Sequence, residues 1–291
     1  MIEVESLMRE FLSEDMANYL SLIPAGKQLR SRLICAIAPQ SEKRFLLSAI
    51  IEMLHLASLL HDDVIDDAKT RRGVPSLFAS EGSKTAVMVG DIFYATAFTK
   101  LVGLGETVAS IVAESVAKLS RGEMMDTKLA TAFNSDRALY EEMIYLKTAS
   151  LIEASCATAA QIAGKDRARY AEFGRKLGVA FQVIDDLLDI TQDEATLGKP
   201  ALNDISEGKV TLPLIALFTN GDATTRERLL ALFGKRVVGD DAVWLKAALA
   251  KSGALEESQT YANRLLVEAK ALIDGETELL ALADKLVCRI S

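Results

Sequence analysis

The sequence predicts an all-α protein, and three observations carry that prediction. Prolines fall only at Pro24, Pro39, Pro75, Pro200 and Pro213, so residues 76–199 contain none, and proline is the residue a helix interior tolerates least. Apolar residues recur at intervals of three and four, as in Ile50, Met53, Leu54, Ala57, Leu60 and Val64, and again in Leu177, Phe181, Ile184 and Leu188; this is the helical period. Alternating β-branched runs closed by Asn-Gly or Gly-Gly, the marks of hairpins, are missing from the proline-free stretch.

Taken from the N-terminus, turn formers divide the chain into helical segments. Ala38–Ser41, holding Pro39, precedes the first apolar stripe, and Arg72–Ser76, holding Gly73 and Pro75, follows it. Gly82–Ser83, Gly103–Gly105, Asn134–Asp136 and Gly164–Asp166 bound the next segments, and the second stripe runs up to a longer break at Leu197–Gly208. Asn220–Ala223 and Gly239–Asp241 divide the remainder, which is more polar from Gly221 onward and reads as a helical cap. Gly, Pro, Asn and Asp punctuate helices because they favour turn conformations or lack a backbone donor. Ten or more helices on short loops, with no linker or low-complexity segment between them, give one all-α domain over residues 1–291.

Composition narrows the function. The chain has 291 residues, a net charge of −8 and a pI near 5.0, an acidic balance that argues against a basic nucleic-acid grip. Half of the residues are hydrophobic and a quarter charged, which excludes disorder and supplies a deep core. The mean hydropathy of +0.19 fits an Ala/Leu-rich helical core and a hydrophobic ligand tunnel alike. Cys35, Cys156 and Cys288 are far apart with no CxxC, so a disulfide framework and a structural zinc site are excluded and a cytoplasmic location is expected. His55 and His61 are the only histidines, too few for a His-rich metal centre. The acidic N-terminus has no signal-peptide pattern. The richest apolar stretch, Phe45–Leu60, is interrupted by Glu52 and His55, short of the roughly 18–20 residues a membrane span requires.

One long-range echo carries the chemistry. Leu59-Leu60-His61-Asp62-Asp63-Val64-Ile65-Asp66-Asp67 and Phe181-Gln182-Val183-Ile184-Asp185-Asp186-Leu187-Leu188-Asp189 each contain D-D-x-x-D beside an apolar stripe. On a helix Asp62 and Asp66 share a face, as do Asp185 and Asp189, while Asp63 and Asp186 stand about 100° around on the same rim. Like charges at this spacing cost a helix roughly 0.2–0.5 kcal/mol per pair, and more beside a core, so a compensating cation is expected. Carboxylates without His or Cys are hard oxygen donors that suit Mg²⁺, which takes one or two carboxylates together with water and phosphate oxygens. One such cluster alone reads more readily as a solvated acidic face. A matched pair reads as metal sites that hold a diphosphate through bridging Mg²⁺.

A diphosphate also needs cations from the protein. Lys27 and Arg30 follow Gly26, Arg71-Arg72-Gly73 follows the first cluster, and Lys147-Thr148 lies in an otherwise apolar helical stretch. Lys199 and Lys209, each after a glycine, bracket the loop beyond the second cluster. Any one of these alone reads more readily as a surface charge than as a contact; their association with the two clusters is what marks them.

The ordered set Asp-Asp-Val-Ile-Asp, Arg-Arg-Gly, Lys-Thr, Phe-Gln-x-x-Asp-Asp-x-x-Asp and Gly-Lys-x-x-x-Pro, running between Gly26 and Pro213, resembles the trans-isoprenyl diphosphate synthases, or polyprenyl synthetases. The resemblance implies a helical bundle around a deep apolar cavity, usually a homodimer, with Mg²⁺ as cofactor at three ions per active site. Asp62, Asp63, Asp66, Asp185, Asp186 and Asp189 would bind the metal bridging to an allylic diphosphate. Arg71, Lys147, Gln182 and Lys199 would contact that substrate, with Lys209 nearby and Thr148 helping Lys147 to shield the cation formed from it. Lys27, Arg30, His55 and Arg72 would hold isopentenyl diphosphate. A histidine on an apolar helix is more often a satisfied core residue, but His55 stands seven residues before Asp62, two turns back on the same face, where the family has its substrate histidine. Ala25-Gly26-Lys27-Gln28-Leu29-Arg30-Ser31 departs from the family's Gly-Gly-Lys-Arg-x-Arg-Pro in a Gly, an Arg and the Pro.

The family chemistry is prenyl transfer without a protein nucleophile, and no Ser–His or Cys–His arrangement is evident here. Product length in the family is set by a floor four and five residues before the first aspartate, here Ser58 and Ala57, both small. Met88, Phe93, Met124 and Met125 are candidates for a deeper floor, each taken singly more readily read as ordinary core packing. The motif Asp62–Asp66 lacks the two-residue insertion of bacterial short-chain enzymes. Both features favour a long-chain product, octaprenyl diphosphate for a quinone side chain, over a farnesyl or geranylgeranyl product. A terpene cyclase has no need of Lys27, Arg30, His55 and Arg72, and a silent partner subunit would be expected to lose aspartates. No nucleic-acid partner is expected, and at most a peripheral membrane contact for product release.

Overall fold

Helices and one very short β-ribbon make up the regular structure of the described residues, 2–24, 26–192 and 201–287, in this computed structural model. Two compact units emerge, Met1–Val116 with Leu151–Ala171, and Ala117–Ser150 with Glu172–Ser291.

The first unit holds α1 (Ile2–Glu10), α2 (Glu14–Leu22), α3 (Leu29–Ile37), α4 (Glu42–Ile65), β1 (Thr70–Arg71), β2 (Val74–Pro75), α5 (Leu77–Glu81) and α6 (Ser83–Leu101). A 3₁₀ turn at Val102–Leu104 leads into α7 (Glu106–Leu129), which starts in this unit. Ser41 starts α4 by accepting the Arg44 N–H at 3.2 Å, satisfying one of the orphan donors of the first turn. The stripe read from the sequence is its core face. Leu47, Ile50, Ile51, Met53, Leu54, Ala57 and Leu60 are all buried, and α4 packs on α1, α3 and α6. Each large aliphatic side chain so buried contributes roughly 1.5–3 kcal/mol. Helices α4 and α6 approach closely at Gly90, where a Cβ would overlap the His61 ring. His61 Nε2 lies 3.2 Å from the Val87 carbonyl and 3.4 Å from Asp91, with its ring tilted on Tyr94.

The break at Arg72–Ser76 contains structure that the sequence reading passed over. Thr70 pairs with Pro75 and Arg71 with Val74 in an antiparallel ribbon, turned by Arg72 and Gly73 at φ 54° and 79°. Two consecutive positive φ values are what a tight two-residue hairpin turn demands. Strands of two residues are too short to show alternation, and Pro75 can only sit at a ribbon's edge.

The second unit holds the rest of α7, α8 (Arg137–Ile144), a π turn at Tyr145–Ala149, and most of α10 (Arg167–Thr191). α9 (Ser150–Ala163) begins at this unit's edge and belongs mainly to the first. Beyond lie α11 (Asn203–Ser206), α12 (Leu212–Asn220), α13 (Ala223–Leu232), α14 (Asp240–Lys251), α15 (Ala254–Leu272) and α16 (Thr277–Val287). Asp136 caps α8 through the Ala138 and Leu139 N–H groups at 2.8 and 3.3 Å, and Pro213 stands in the first turn of α12, where its missing N–H costs nothing. The polar C-terminal stretch packs Leu229, Leu245, Leu249 and Ala254 into one apolar cluster with Ile190 of α10 and Leu214 and Leu217 of α12.

Two helical stretches, Glu42–Ile65 and Ser83–Leu104, are long and apolar enough to cross a membrane by length and composition, against the expectation from Phe45–Leu60, where Glu52 and His55 interrupt the apolar run. The first is the unit's core helix. Of the deeper-floor candidates, Phe93 is fully buried, whereas Met88 and Met124 are exposed, so ordinary core packing does not account for those two methionines.

Candidate active site

In the first unit the C-terminal end of α4, the ribbon and the start of α3 converge. Asp63 is 2% exposed, and both of its oxygens are taken by Arg71, with Nε 2.9 Å from each and Nη2 2.6 Å from Oδ1. Bidentate guanidinium–carboxylate pairs of this kind are strong and directional. Asp66 caps α4, its N–H donating to the Asp62 carbonyl at 2.8 Å, so Asp62 and Asp66 stack one turn apart as their spacing predicts.

His55, Arg30, Arg71 and Arg72 form one electrostatic neighbourhood. Burial, then the charges of Arg30, Arg72 and Arg71, hold the His55 pKa well below the usual histidine range. Burial also pushes Arg30 down to about 10 while Glu52 works in the opposite direction, and its buried Nε has no hydrogen-bond partner. An anion is the natural complement of such a group. Arg72 donates to the Pro24 carbonyl at 2.5 Å, and its guanidinium fills the space where a side chain at Gly26 would begin. Lys27 is exposed. Ser31 replaces the family's proline for a visible reason: its N–H and Oγ both donate to Glu52 Oε1, at 3.1 and 2.7 Å, and proline could make neither bond. Gln28, Asp67 and Arg72, with φ between 49° and 54°, all stand in these loops, a conformation that costs a non-glycine residue energy and tends to cluster at functional sites.

The second unit centres on the π turn, which carries Lys147 and Thr148. Such turns inside helices re-aim side chains and are frequent at functional sites. Glycines from two helices press on it. A Cβ at Gly122 would overlap the Lys147 backbone nitrogen, and one at Gly178 would come within 2.6 Å of Ala149 Cα. Gly122→Ala is therefore expected to lower the melting temperature, at a cost of about 1–3 kcal/mol for overpacking, and to reduce turnover; unchanged melting and turnover would show that the turn tolerates displacement.

Lys147 Nζ sits 2.6 Å from Asp126 Oδ2 and 2.8 Å from Glu123 Oε2, both buried on α7. Burial opposes its charge, yet the two carboxylates hold its pKa above the ordinary lysine range. Thr148 Oγ1 donates to Gln182 Oε1 at 2.8 Å. Gln182 Nε2 donates to Asp186 Oδ1 at 2.8 Å, and Tyr140 OH to Asp186 Oδ2 at 2.6 Å. Burial raises the Asp186 pKa, as do Asp185 and Asp189, against the lowering effect of those two bonds. Asp189 is buried and accepts the Asp204 N–H at 3.1 Å, while Asp185 is half-buried. Lys209 pairs with Glu207 at 2.6 Å. Lys199 lies outside the described residues.

Glu123, Asp126, Tyr140, Gly122 and Gly178 escaped the sequence reading. The available signal was acids three apart in the Gly122-Glu123-Met124-Met125-Asp126 stretch of an otherwise core-forming helix. Among the described residues no three His, Cys, Asp or Glu side chains converge as a formed metal site. The donor set still fits a hard divalent cation: the aspartates of both motifs are all-oxygen donors, and beside the larger effect of burial, Asp185 and Asp189 press on Asp186 with a repulsion that a nearby cation relieves.

Residues 11–250 match the polyprenyl synthetase family, and the chain belongs to that family. The crystal structure of octaprenyl pyrophosphate synthase from Helicobacter pylori superposes with a TM-score of 0.92 at 38% identity, covering 98% of this chain and 95% of that one. A polyprenyl synthase from Caulobacter crescentus, complexed with calcium and isoprenyl diphosphate, superposes with a TM-score of 0.88 at 30% identity, covering 98% and 93%. The geranylgeranyl diphosphate synthase of Sulfolobus acidocaldarius is 31% identical over 281 residues, 90% of this chain and 85% of that protein. The protein is thus a prenyltransferase of the trans-prenyl diphosphate synthase type, and its substrates are prenyl diphosphates.

Proposed function

We propose that this enzyme condenses isopentenyl diphosphate with an allylic diphosphate to give a long-chain all-trans product, octaprenyl diphosphate for a quinone side chain. The observation that carries the chain length is the small pair Ala57 and Ser58 on α4. Ser58 Oγ donates to the His55 carbonyl of its own helix at 2.8 Å, so its polarity is spent locally and the position presents little but a small surface. A prenyl tail gains about 0.8 kcal/mol per buried CH₂ as it extends past such a position. The likeness to a Helicobacter pylori octaprenyl synthase supports this reading, while the likeness to a geranylgeranyl synthase favours the shorter alternative.

Asp62, Asp66, Asp185 and Asp189 are the residues that would hold Mg²⁺, three ions per site, with Asp63 and Asp186 beside them, each with both oxygens already engaged by protein donors. When bound, the metal stabilises the charge that develops on a departing diphosphate. Arg71, Lys147, Lys199 and Lys209 add fixed positive charge for the same anion as the allylic C–O bond breaks. Lys27, Arg30, His55 and Arg72 hold the second diphosphate, so that the double bond of isopentenyl diphosphate attacks the allylic cation. The proton lost from the new C–C bonded product passes to the released diphosphate. Thr148 and the Gln182 amide face the cation, and the apolar side chains of α4 exclude water that would quench it. The cluster of Arg30, His55 and Arg72, superfluous to a cyclase, favours transfer over cyclisation.

The enzyme acts as a cytoplasmic homodimer in this reading. Met88 and Ile92 on α6 are 54% and 38% exposed and Ala95 follows on the same face, an apolar strip suited to a second copy. Ile92→Glu should then convert the dimer to a monomer in sedimentation analysis; an unchanged sedimentation coefficient would place the interface elsewhere. The chain-length proposal is tested by supplying Mg²⁺, labelled isopentenyl diphosphate and farnesyl diphosphate and separating the dephosphorylated products by length. A ladder ending near the octaprenyl alcohol supports it, a stop at geranylgeraniol overturns the long-chain reading, and release of hydrocarbons moves the protein to the cyclases.

A further inference from the structure

We propose that Tyr140 and Asp186 are positioning residues that set which way the Gln182 amide faces, and that Asp186 serves this role in place of metal coordination. The inference rests on the reading of Gln182 as a contact to the allylic substrate. Four side chains of the second unit form an unbroken series: Tyr140 OH to Asp186 Oδ2 at 2.6 Å, Gln182 Nε2 to Asp186 Oδ1 at 2.8 Å, and Thr148 Oγ1 to Gln182 Oε1 at 2.8 Å. The polarity of this series is set where Tyr140 OH and Gln182 Nε2 each donate to one oxygen of Asp186. Asp186 therefore obliges the amide to turn its NH₂ group inward, and the amide oxygen is left on the side of the π turn.

That choice matters for the chemistry. Beside a developing cation a carbonyl oxygen is attractive and an NH₂ group repulsive, so an amide that turned over would change a stabilising dipole into a destabilising one. Gln182 cannot hold the carboxylate alone, because it donates to one oxygen. Tyr140, itself 3% exposed, supplies the second donor where water does not reach. The first unit repeats the arrangement: Asp63, the second aspartate of its motif, has both oxygens on Arg71. In each D-D-x-x-D the second aspartate is a buried acceptor with both oxygens given to neighbouring side chains.

The test compares Tyr140→Phe, Gln182→Ala, their double variant and the near-isosteric Asp186→Asn in full-length enzyme with Mg²⁺, farnesyl diphosphate and isopentenyl diphosphate. Tyr140→Phe should lower kcat about tenfold, the scale of one hydrogen bond to a charged group. KM for isopentenyl diphosphate and the Mg²⁺ concentration for half-maximal rate should stay close to wild type, and the melting temperature should fall by no more than the loss of one buried hydrogen bond accounts for. The double variant should be no slower than Gln182→Ala, because Tyr140 acts through the amide. Asp186→Asn should lower kcat with an unchanged Mg²⁺ requirement. Multiplicative effects in the double variant, or wild-type kcat for Tyr140→Phe beside a slow Gln182→Ala, would overturn the proposal and leave Gln182 as a substrate contact. A raised Mg²⁺ requirement in Asp186→Asn would return that residue to the metal site and overturn it as well. Gln182→Ala at full rate would remove the underlying reading and the proposal with it.

Discussion

Asp62→Ala should cut turnover by about three orders of magnitude, since metal-borne charge stabilisation is worth several kcal/mol and each 1.4 kcal/mol is tenfold in rate. The geometry singles this residue out from its neighbours. Asp63 is committed to Arg71, while Asp62 and Asp66 stack across the last turn of α4. Asp67, one residue beyond the motif, is turned away at φ 50° and paired with Lys69 at 2.9 Å. Asp67→Ala is thus a matched control that removes an acid from the same segment and should leave kcat unchanged. Measuring kcat across a Mg²⁺ series separates the two variants: the loss in Asp62→Ala should be accompanied by a higher Mg²⁺ requirement. Near-normal turnover in Asp62→Ala would falsify the metal role of the first motif.

Ser58→Phe should shorten the product by several isoprene units while initial condensation with a short allylic primer continues. A phenyl ring on α4 occupies volume that a close-packed interior cannot yield elsewhere, so growth stops where the tail meets it. The structure ranks this variant above Ala57→Phe. Ala57 is fully buried, and its carbonyl lies 3.4 Å from where a Cβ on Gly90 would stand, on the tight α4–α6 contact. A phenylalanine there would overpack that contact, typically at about 1–3 kcal/mol, and confuse a loss of stability with a change of length. Product chromatography after Ser58→Phe decides the matter; a ladder of unchanged length means that the growing chain does not pass this position.

Much of the scaffold was legible in the chain itself. The stripe from Ile50 to Leu60 became the buried face of α4, and the turn formers at Ala38–Ser41, Gly103–Gly105, Asn134–Asp136 and Gly164–Asp166 fall between helices. The stacking of Asp62 on Asp66 follows from the helical repeat alone. The ribbon at Thr70–Pro75 was not legible, because two residues are fewer than one period of any pattern. Nor was the π turn, whose sequence Tyr145-Leu146-Lys147-Thr148-Ala149 is that of an ordinary helix.

The sequence by itself determined the helical class, the two acidic motifs and the basic residues that accompany them, because periodicity, charge and spacing are local and survive without a fold. Only the tertiary structure decided what each motif residue does. Lys147 meets Asp126 across a separation of 21 residues and Tyr140 meets Asp186 across 46, and Ser31 finds Glu52 on the next helix. Those partners are chosen by how helices pack, with Gly122 and Gly178 admitting the π turn between them. A buried polar group must be satisfied by whatever packing brings within reach, and that neighbour is not written at any fixed distance along the chain.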